Sequence, residues 1–260
     1  MYRFALIAAM FGISHAHATS VVVKLNEQKI LIAADTLGID SAGVVHEDQC
    51  KIVAFGKAAF AAASISSFST TLPSIPAWDS KVAARSAYAA SNGDVEAAAN
   101  DWQARAEGYF GSLSALDRQR ARSLVSSDPE HVLAVGVLVG WDSHGVAELI
   151  FQLVRFEEPG LRQVQNRRYT HRPRDLPYTT SVITQELIEK NSARGEAVRA
   201  EWRLQSKNIP VSDRDWRSLE FFIVRTSKWD NVSKGVNVLE LGQDGHSRWL
   251  QNLTCPPSGW

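Results

Sequence analysis

The stretch AHATSVVVKLNEQKILIAADTLGIDSAGVVHEDQCK, Ala16 to Lys51, decides how this chain is read. Val21-Val22-Val23 is β-branched, Asn26-Glu27-Gln28-Lys29 is polar and Ile30-Leu31-Ile32-Ala33-Ala34 is again apolar, which is the pattern of strand, turn and strand. A hairpin there returns the residues after Ala34 to the side of Thr19, so the Asp35 carboxylate is expected near Thr19. Gln49 to Phe55 is the next strand-like run. Alternation puts Gln49, Lys51 and Val53 on one face and Cys50 and Ile52 on the other. Thr19, Asp35 and Lys51 follow one another at intervals of 16 residues.

Upstream, Met1 to Ala18 has the order of a signal peptide: Arg3, an apolar run from Phe4 to Ile13, and the small-x-small site Ala16-His17-Ala18. The apolar run is shorter than the roughly 20 residues a bilayer span needs. The expected organisation is a signal peptide over 1–18 and a single domain over 19–260, secreted or periplasmic, with signal peptidase as the maturation partner. Cys50 and Cys255 are the two cysteines. One pair is no disulfide framework, and the sequence does not place the two near each other.

Downstream, Ala58 to Ser64 reads as a small-residue strand. Ala83–Ala90 and Val95–Phe110 read as Ala-rich amphipathic helices separated by the cap residues Asn92-Gly93-Asp94. Val132–Trp141 and Ala147–Phe156 read as strands joined by Asp142-Ser143-His144-Gly145. The Arg-rich stretch Gly160–Pro177 reads as a solvated loop, because Pro173 and Pro177 break any regular face. Thr179–Asn191, Arg194–Ser206 and Asp213–Thr226 read as helical. Gly235–Leu241 and Ser247–Leu250 form a terminal hairpin around Gln243-Asp244-Gly245. Strands, two helices, strands, helices and strands are buried best as two sheets with helices outside, so the expected fold is α+β, a four-layer αββα sandwich.

Composition narrows the function. Of 260 residues 22% are charged, and Lys+Arg and Asp+Glu balance at 28 each, so no basic field points to nucleic acid. The histidines beyond the leader, His46, His131, His144, His171 and His246, lack metal-ligand spacing, and no phosphate-binding glycine motif is present, so no cofactor is expected.

Thr19-Ser20-Val21-Val22-Val23, Leu31-Ile32-Ala33-Ala34-Asp35-Thr36 and Cys50-Lys51-Ile52 resemble the start of a mature 20S proteasome β subunit, a member of the N-terminal-nucleophile (Ntn) hydrolase superfamily. Gly140-Trp141-Asp142 is similar to that family's mid-chain hairpin, and Trp229 to Gly235 followed by Val236-Asn237-Val238 is similar to its aspartate-x-x-serine-glycine-glycine loop and last strand. The resemblance spans Thr19 to about Leu250 and is weakest over 160–212. It implies that Thr19 is the catalytic threonine, Asp35 and Lys51 its buried aspartate and lysine, and Asp230 and Ser233 the pair that supports the free amine. A further family serine has no secure counterpart among Thr179, Thr180 and Ser181. The chain also departs from the family pattern. Ala18 replaces the glycine of self-cleaving precursors, Leu37 replaces an arginine, Lys234 replaces one loop glycine, and the oxyanion-hole glycine is blurred in Ala62-Ala63-Ser64-Ile65-Ser66.

The chemistry follows from the groups. A threonine hydroxyl needs a base, and an N-terminal threonine carries one in its own α-amine, with a reference pKa of about 7.7–8.0. A cationic Lys51 lowers that value, and Asp35 orients Lys51. Thr19 Oγ is expected to attack a carbonyl and form an acyl-enzyme that water hydrolyses, with a backbone N–H near Ser64 or Ile65 as oxyanion donor. Gln49, Val53 and Ala63 are expected along the acyl side. Taken singly, each residue has an ordinary structural reading; their joint order at the cleavage site points to catalysis. The expected activity is a threonine-type peptidase on peptide or other amide substrates. The alternatives are a non-peptide amidase or acylase of the same superfamily, and a catalytically silent interaction protein that, like the catalytic readings, can form a homo-oligomer. An exported chain has no ATP, so no ATP-driven unfoldase is expected as partner.

Overall fold

The computed structural model describes residues 20–26, 28–40, 44–125, 132–157, 160–163, 167–170, 178–180, 187–188, 192–228 and 232–256. The expected leader, Thr19 and Asp230 lie outside the described residues. The strands in chain order are β1 (Val21–Leu25), β2 (Lys29–Asp35), β3 (Gly38–Ile39), β4 (Val45–His46), β5 (Ile52–Phe55), β6 (Ala58–Ser64), β7 (Ser67–Phe68), β8 (Trp78–Asp79), β9 (Val132–Trp141), β10 (Ala147–Glu157), β11 (Gly160–Gln163), β12 (Arg167–Thr170), β13 (Tyr178–Thr179), β14 (Val236–Gly242) and β15 (Ser247–Gln251). The helices are α1 (Ser80–Ala90), α2 (Val95–Gly111), α3 (Ala115–Leu124), α4 (Ala193–Gln205) and α5 (Arg214–Thr226).

The opening hairpin forms as the sequence suggests. Asn26 Oδ1 accepts from Gln28 N and Lys29 N at 3.0 and 2.7 Å, which closes the turn and sets Val21 opposite Ala34. One sheet runs β13-β1-β2-β14-β15, and a second runs β11-β10-β9-β6-β5 with β12 also on β10. The described pairings are all antiparallel. The fold is therefore mixed, α+β in class.

Both faces of β1 and β2 are buried, which explains their near-continuous apolar runs. Val21, Val23, Ile30, Ile32 and Ala34 pack with Ile52, Ala59, Ala61, Val137 and Val139 of the other sheet. Val22, Leu31 and Ala33 turn the opposite way, onto Trp216, Leu219, Phe222 and Ile223 of α5. Those four α5 positions share one helical face. A third cluster joins β6, β9 and β10 to α1 and α2, with Trp102 packed on Phe60 at 5.5 Å between ring centroids. Fully burying each such aliphatic or aromatic side chain is worth about 1.5–3 kcal/mol.

The boundary between α1 and α2 uses the residues expected. Asn92 and Gly93 take positive φ (52° and 85°), and the Asp94 side chain caps α2 by accepting from Ala97 N. Three expectations need correction. Gly160–Gln163 and Arg167–Thr170 are strands paired to β10, not loop, because β10 is long enough to offer two partner segments in succession. Tyr178–Thr179 pairs with β1 instead of starting a helix; of the expected helix, Leu187–Ile188 are helical, and 181–186 and 189–191 lie outside the described residues. The strand expected from Gln49 begins at Ile52, so Cys50 and Lys51 precede the ladder.

Candidate active site

β2 ends on Asp35, and the chain beyond it supplies most of the site. Asp35 is fully buried and Lys51 is 3% exposed. A buried carboxylate is costly unless it is paired and hydrogen-bonded, and this one is both. Its Oδ1 accepts from Lys51 Nζ at 3.0 Å and from Ser20 N at 2.9 Å. Its Oδ2 accepts from Leu37 N at 3.0 Å, with Ser233 N a longer 3.5 Å away. Burial pulls the Lys51 ammonium below the usual 10.5 of a lysine, while the charge and hydrogen bond of Asp35 pull it upward.

The backbone around Asp35 is locked from both sides. Asp35 N donates to Ser20 O at 3.2 Å, and Thr36 N donates to Gly235 O at 3.0 Å. Thr36, almost fully buried, donates through Oγ1 to Ser233 Oγ at 3.1 Å, and Gly235 N donates to the same oxygen at 2.9 Å. Ser233 therefore lies beside the β2 end although 198 residues separate it from Asp35. Val236 stands opposite Asp35 in the β2–β14 ladder, which is what carries the loop there. Gly235 is required at its position: a Cβ would come within 2.5 Å of Thr36 Oγ1.

The structure thus brings Asp35, Lys51 and Ser233 together, with Ser20, the residue after Thr19, on the same carboxylate. Thr180 lies close to this end, accepting from Val21 N through Oγ1 at 3.1 Å. Leu37 contributes its main-chain N–H to the Asp35 carboxylate, a bond that does not depend on its side chain.

The expected pocket wall of Val53 and Ala63 needs correction, and the main chain at Ser64 and Ile65 is held as follows. Ile65 N donates to Leu133 O at 2.9 Å and so is already used. Ser64 takes a positive φ of 60° and donates from Oγ to Val132 O at 2.6 Å. Its N–H falls on the β5 side of β6, as does that of Ala62, which donates to Lys51 O at 3.1 Å. Val53 packs with the α1 and α2 cluster, whereas Ala63 packs between the two sheets, so the two do not line one wall.

Sequence reasoning missed Thr36, a buried polar residue directly after the aspartate, and the anchoring of Ser20. The signal for Thr36 was its place next to a carboxylate at a strand end. Cys50 and Cys255 form a disulfide, with Cα atoms 4.7 Å apart. Among the described residues no group of three or more His, Cys, Asp or Glu is placed to hold a metal, and no helix is long and apolar enough to cross a membrane. Neither protein-family models nor curated proteins give a match to this chain, so its site is read from its own geometry.

Proposed function

We propose that the chain is an exported threonine-type N-terminal-nucleophile hydrolase that cleaves peptide (amide) bonds through an acyl-enzyme on Thr19, built on a four-layer αββα sandwich. The observation that carries the reading is the sharing of Asp35 Oδ1 by Ser20 N and Lys51 Nζ, at 2.9 and 3.0 Å. Ser20 is the covalent neighbour of Thr19, so one buried carboxylate anchors both the start of the mature chain and the cation meant to act on it. The layer order is supported by the three side-chain clusters: helix on sheet, sheet on sheet, and sheet on helix.

Removal of residues 1–18 by signal peptidase frees the α-amine of Thr19, creating base and nucleophile in one cut. The Lys51 ammonium holds the amine below its reference value, so that it is neutral near neutral pH. The amine takes the hydroxyl proton as Thr19 Oγ attacks the carbonyl. It then returns that proton to the leaving nitrogen, and water hydrolyses the ester. Asp230 and Ser233 hold the amine, and Ser64 N–H faces the developing oxyanion. The disulfide supports a secreted or periplasmic location, since such bonds persist in oxidising compartments. Substrates are accessible or unfolded peptides taken without an ATP-driven unfoldase.

The test is an electrophilic probe selective for N-terminal threonine. An adduct on Thr19 is expected, absent in Thr19→Ala and slowed about 100-fold in Lys51→Met. An unlabelled mature protein, or an adduct elsewhere, overturns the proposal.

A further inference from the structure

The far end of the chain closes on Lys51. Cys50, the residue before it, is bonded to Cys255, 205 residues later. Cys255 sits in a turn after β15, with Asn252 Oδ1 accepting from Cys255 N and Asn252 Nδ2 donating to Cys255 O, both at 2.8 Å. That turn is itself gripped by Asn237 on β14, which is fully buried. Asn237 Oδ1 accepts from Leu253 N at 2.8 Å and Thr254 N at 3.3 Å, and its Nδ2 donates to Thr254 Oγ1 at 2.7 Å. A buried amide costs free energy unless its polar atoms are satisfied, and these three bonds all go to the turn that carries Cys255.

Asn237 stands opposite Ala34 on β2, and Val236 opposite Asp35. The links therefore close a ring: Asp35, the β2–β14 ladder, Asn237, the turn at 252–255, the disulfide, Lys51, and back to Asp35 through the 3.0 Å ion pair. The ring matters because β5 begins only at Ile52: before it the main chain is held by single hydrogen bonds, Ala62 N to Lys51 O and Gln49 N to Thr36 O, and the disulfide adds a covalent tie at Cys50 between them. Lys81 Nζ steadies the other side of Cys50, donating to its carbonyl at 2.8 Å.

We propose that the Cys50–Cys255 disulfide is a positioning device for Lys51, so that the lysine is held on Asp35 only in the oxidised protein. Its consequence for catalysis rests on the function proposed above; its structural content does not. Reduction breaks the S–S bond and forms two S–H bonds, with the two electrons and two protons supplied by a dithiol that is oxidised to its own disulfide. Residues 49–51 then keep only their non-covalent ties, Gln49 N to Thr36 O at 2.9 Å, Ala62 N to Lys51 O at 3.1 Å and Lys81 Nζ to Cys50 O at 2.8 Å, and with the covalent tie gone the lysine stem carries its ammonium towards solvent.

The experiment compares the mature protein with and without a dithiol. An amine-acylating reagent is mapped by peptide mass, with exposed Lys57 as internal control, and the probe for N-terminal threonine is followed in parallel. Lys51 is expected to be protected in the oxidised form and to react about tenfold faster or more once reduced, at unchanged Lys57 reactivity. Thr19 labelling should slow about 100-fold. Equal protection of Lys51 in both folded forms overturns the proposal. Should the reduced protein lack a cooperative melting transition above the assay temperature, the double variant Cys50→Ala/Cys255→Val, which keeps both sites apolar, replaces it under the same two outcomes. Lys51 opening on reduction without Thr19 labelling in either form supports the positioning device and removes the catalytic reading.

Discussion

Replacing Asp35 by Asn keeps the shape of the side chain and deletes its charge. The carboxylate is fully buried, and its partner Lys51 is 3% exposed with Nζ 3.0 Å away. Two costs follow. The ammonium loses its counter-ion, and removing one partner of a buried pair costs about 3–5 kcal/mol. The new NH₂ also meets a donor whichever way the amide turns, because Ser20 N and Lys51 Nζ occupy one oxygen and Leu37 N the other. An unsatisfied buried donor costs about 1–3 kcal/mol. The two costs overlap, since the lysine can shed its proton, and the expected loss at pH 7 is about 4 kcal/mol. Urea unfolding followed by tryptophan fluorescence measures it. Lys51 already lies below 10.5 through burial, and the substitution removes the charge and hydrogen bond of Asp35 that pull it upward, so it falls further. Between the lowered folded value and 10.5 the unfolded chain holds a proton that the folded chain lacks. Stability of Asp35→Asn therefore rises with pH across that window, which is wider than in the parent. The double variant Asp35→Asn/Lys51→Met removes both charges and should recover about 1–3 kcal/mol of the loss. Strict additivity of the two single variants, or a pH-independent stability of Asp35→Asn up to 10.5, would refute the reasoning.

Gly235→Ala drives a Cβ to within 2.5 Å of Thr36 Oγ1 and displaces the Thr36–Ser233 bond; a loss of about 1–3 kcal/mol in chemical unfolding is expected, with Thr19 labelling slowed. Removing the disulfide opens a 205-residue closure, which the chain-entropy relation puts at roughly 5 kcal/mol as an upper value, so calorimetry with and without reductant should show melting fall by about 10–20 °C. The pH–rate profile of the proposed reaction is a bell. Its acid limb rises as the Thr19 amine loses its proton, and its alkaline limb falls below 10.5 as the Lys51 ammonium is lost; a rate still climbing at pH 10.5 contradicts the role given to Lys51.

Much of the site was legible because its residues sit where local patterns are strong. The β-branched run before Asn26 and the apolar run after Lys29 specify the hairpin, and the hairpin alone puts Asp35 beside Ser20. Ser233 was legible only through the family resemblance, since nothing local tells that β14 pairs with β2. The disulfide was not legible: two cysteines 205 residues apart carry no spacing signal, and what joins them is Asn237, an ordinary strand residue in the sequence. Helix α3 was missed because its buried face consists of Asp117 and Ala121, which give no apolar stripe. Its start signal was present, Ser114 capping Asp117 N three residues on. The strands β11 and β12 were hidden by arginines and by the prolines that follow them, and it is the length of β10 that recruits them.

The mass of the exported chain tests the central claim most directly, because the proposed chemistry needs a free α-amine on Thr19. Intact-mass spectrometry should find a chain that begins at Thr19 and carries one intact disulfide between Cys50 and Cys255. A mature chain that begins at any other residue leaves Thr19 without its base and contradicts the proposed function.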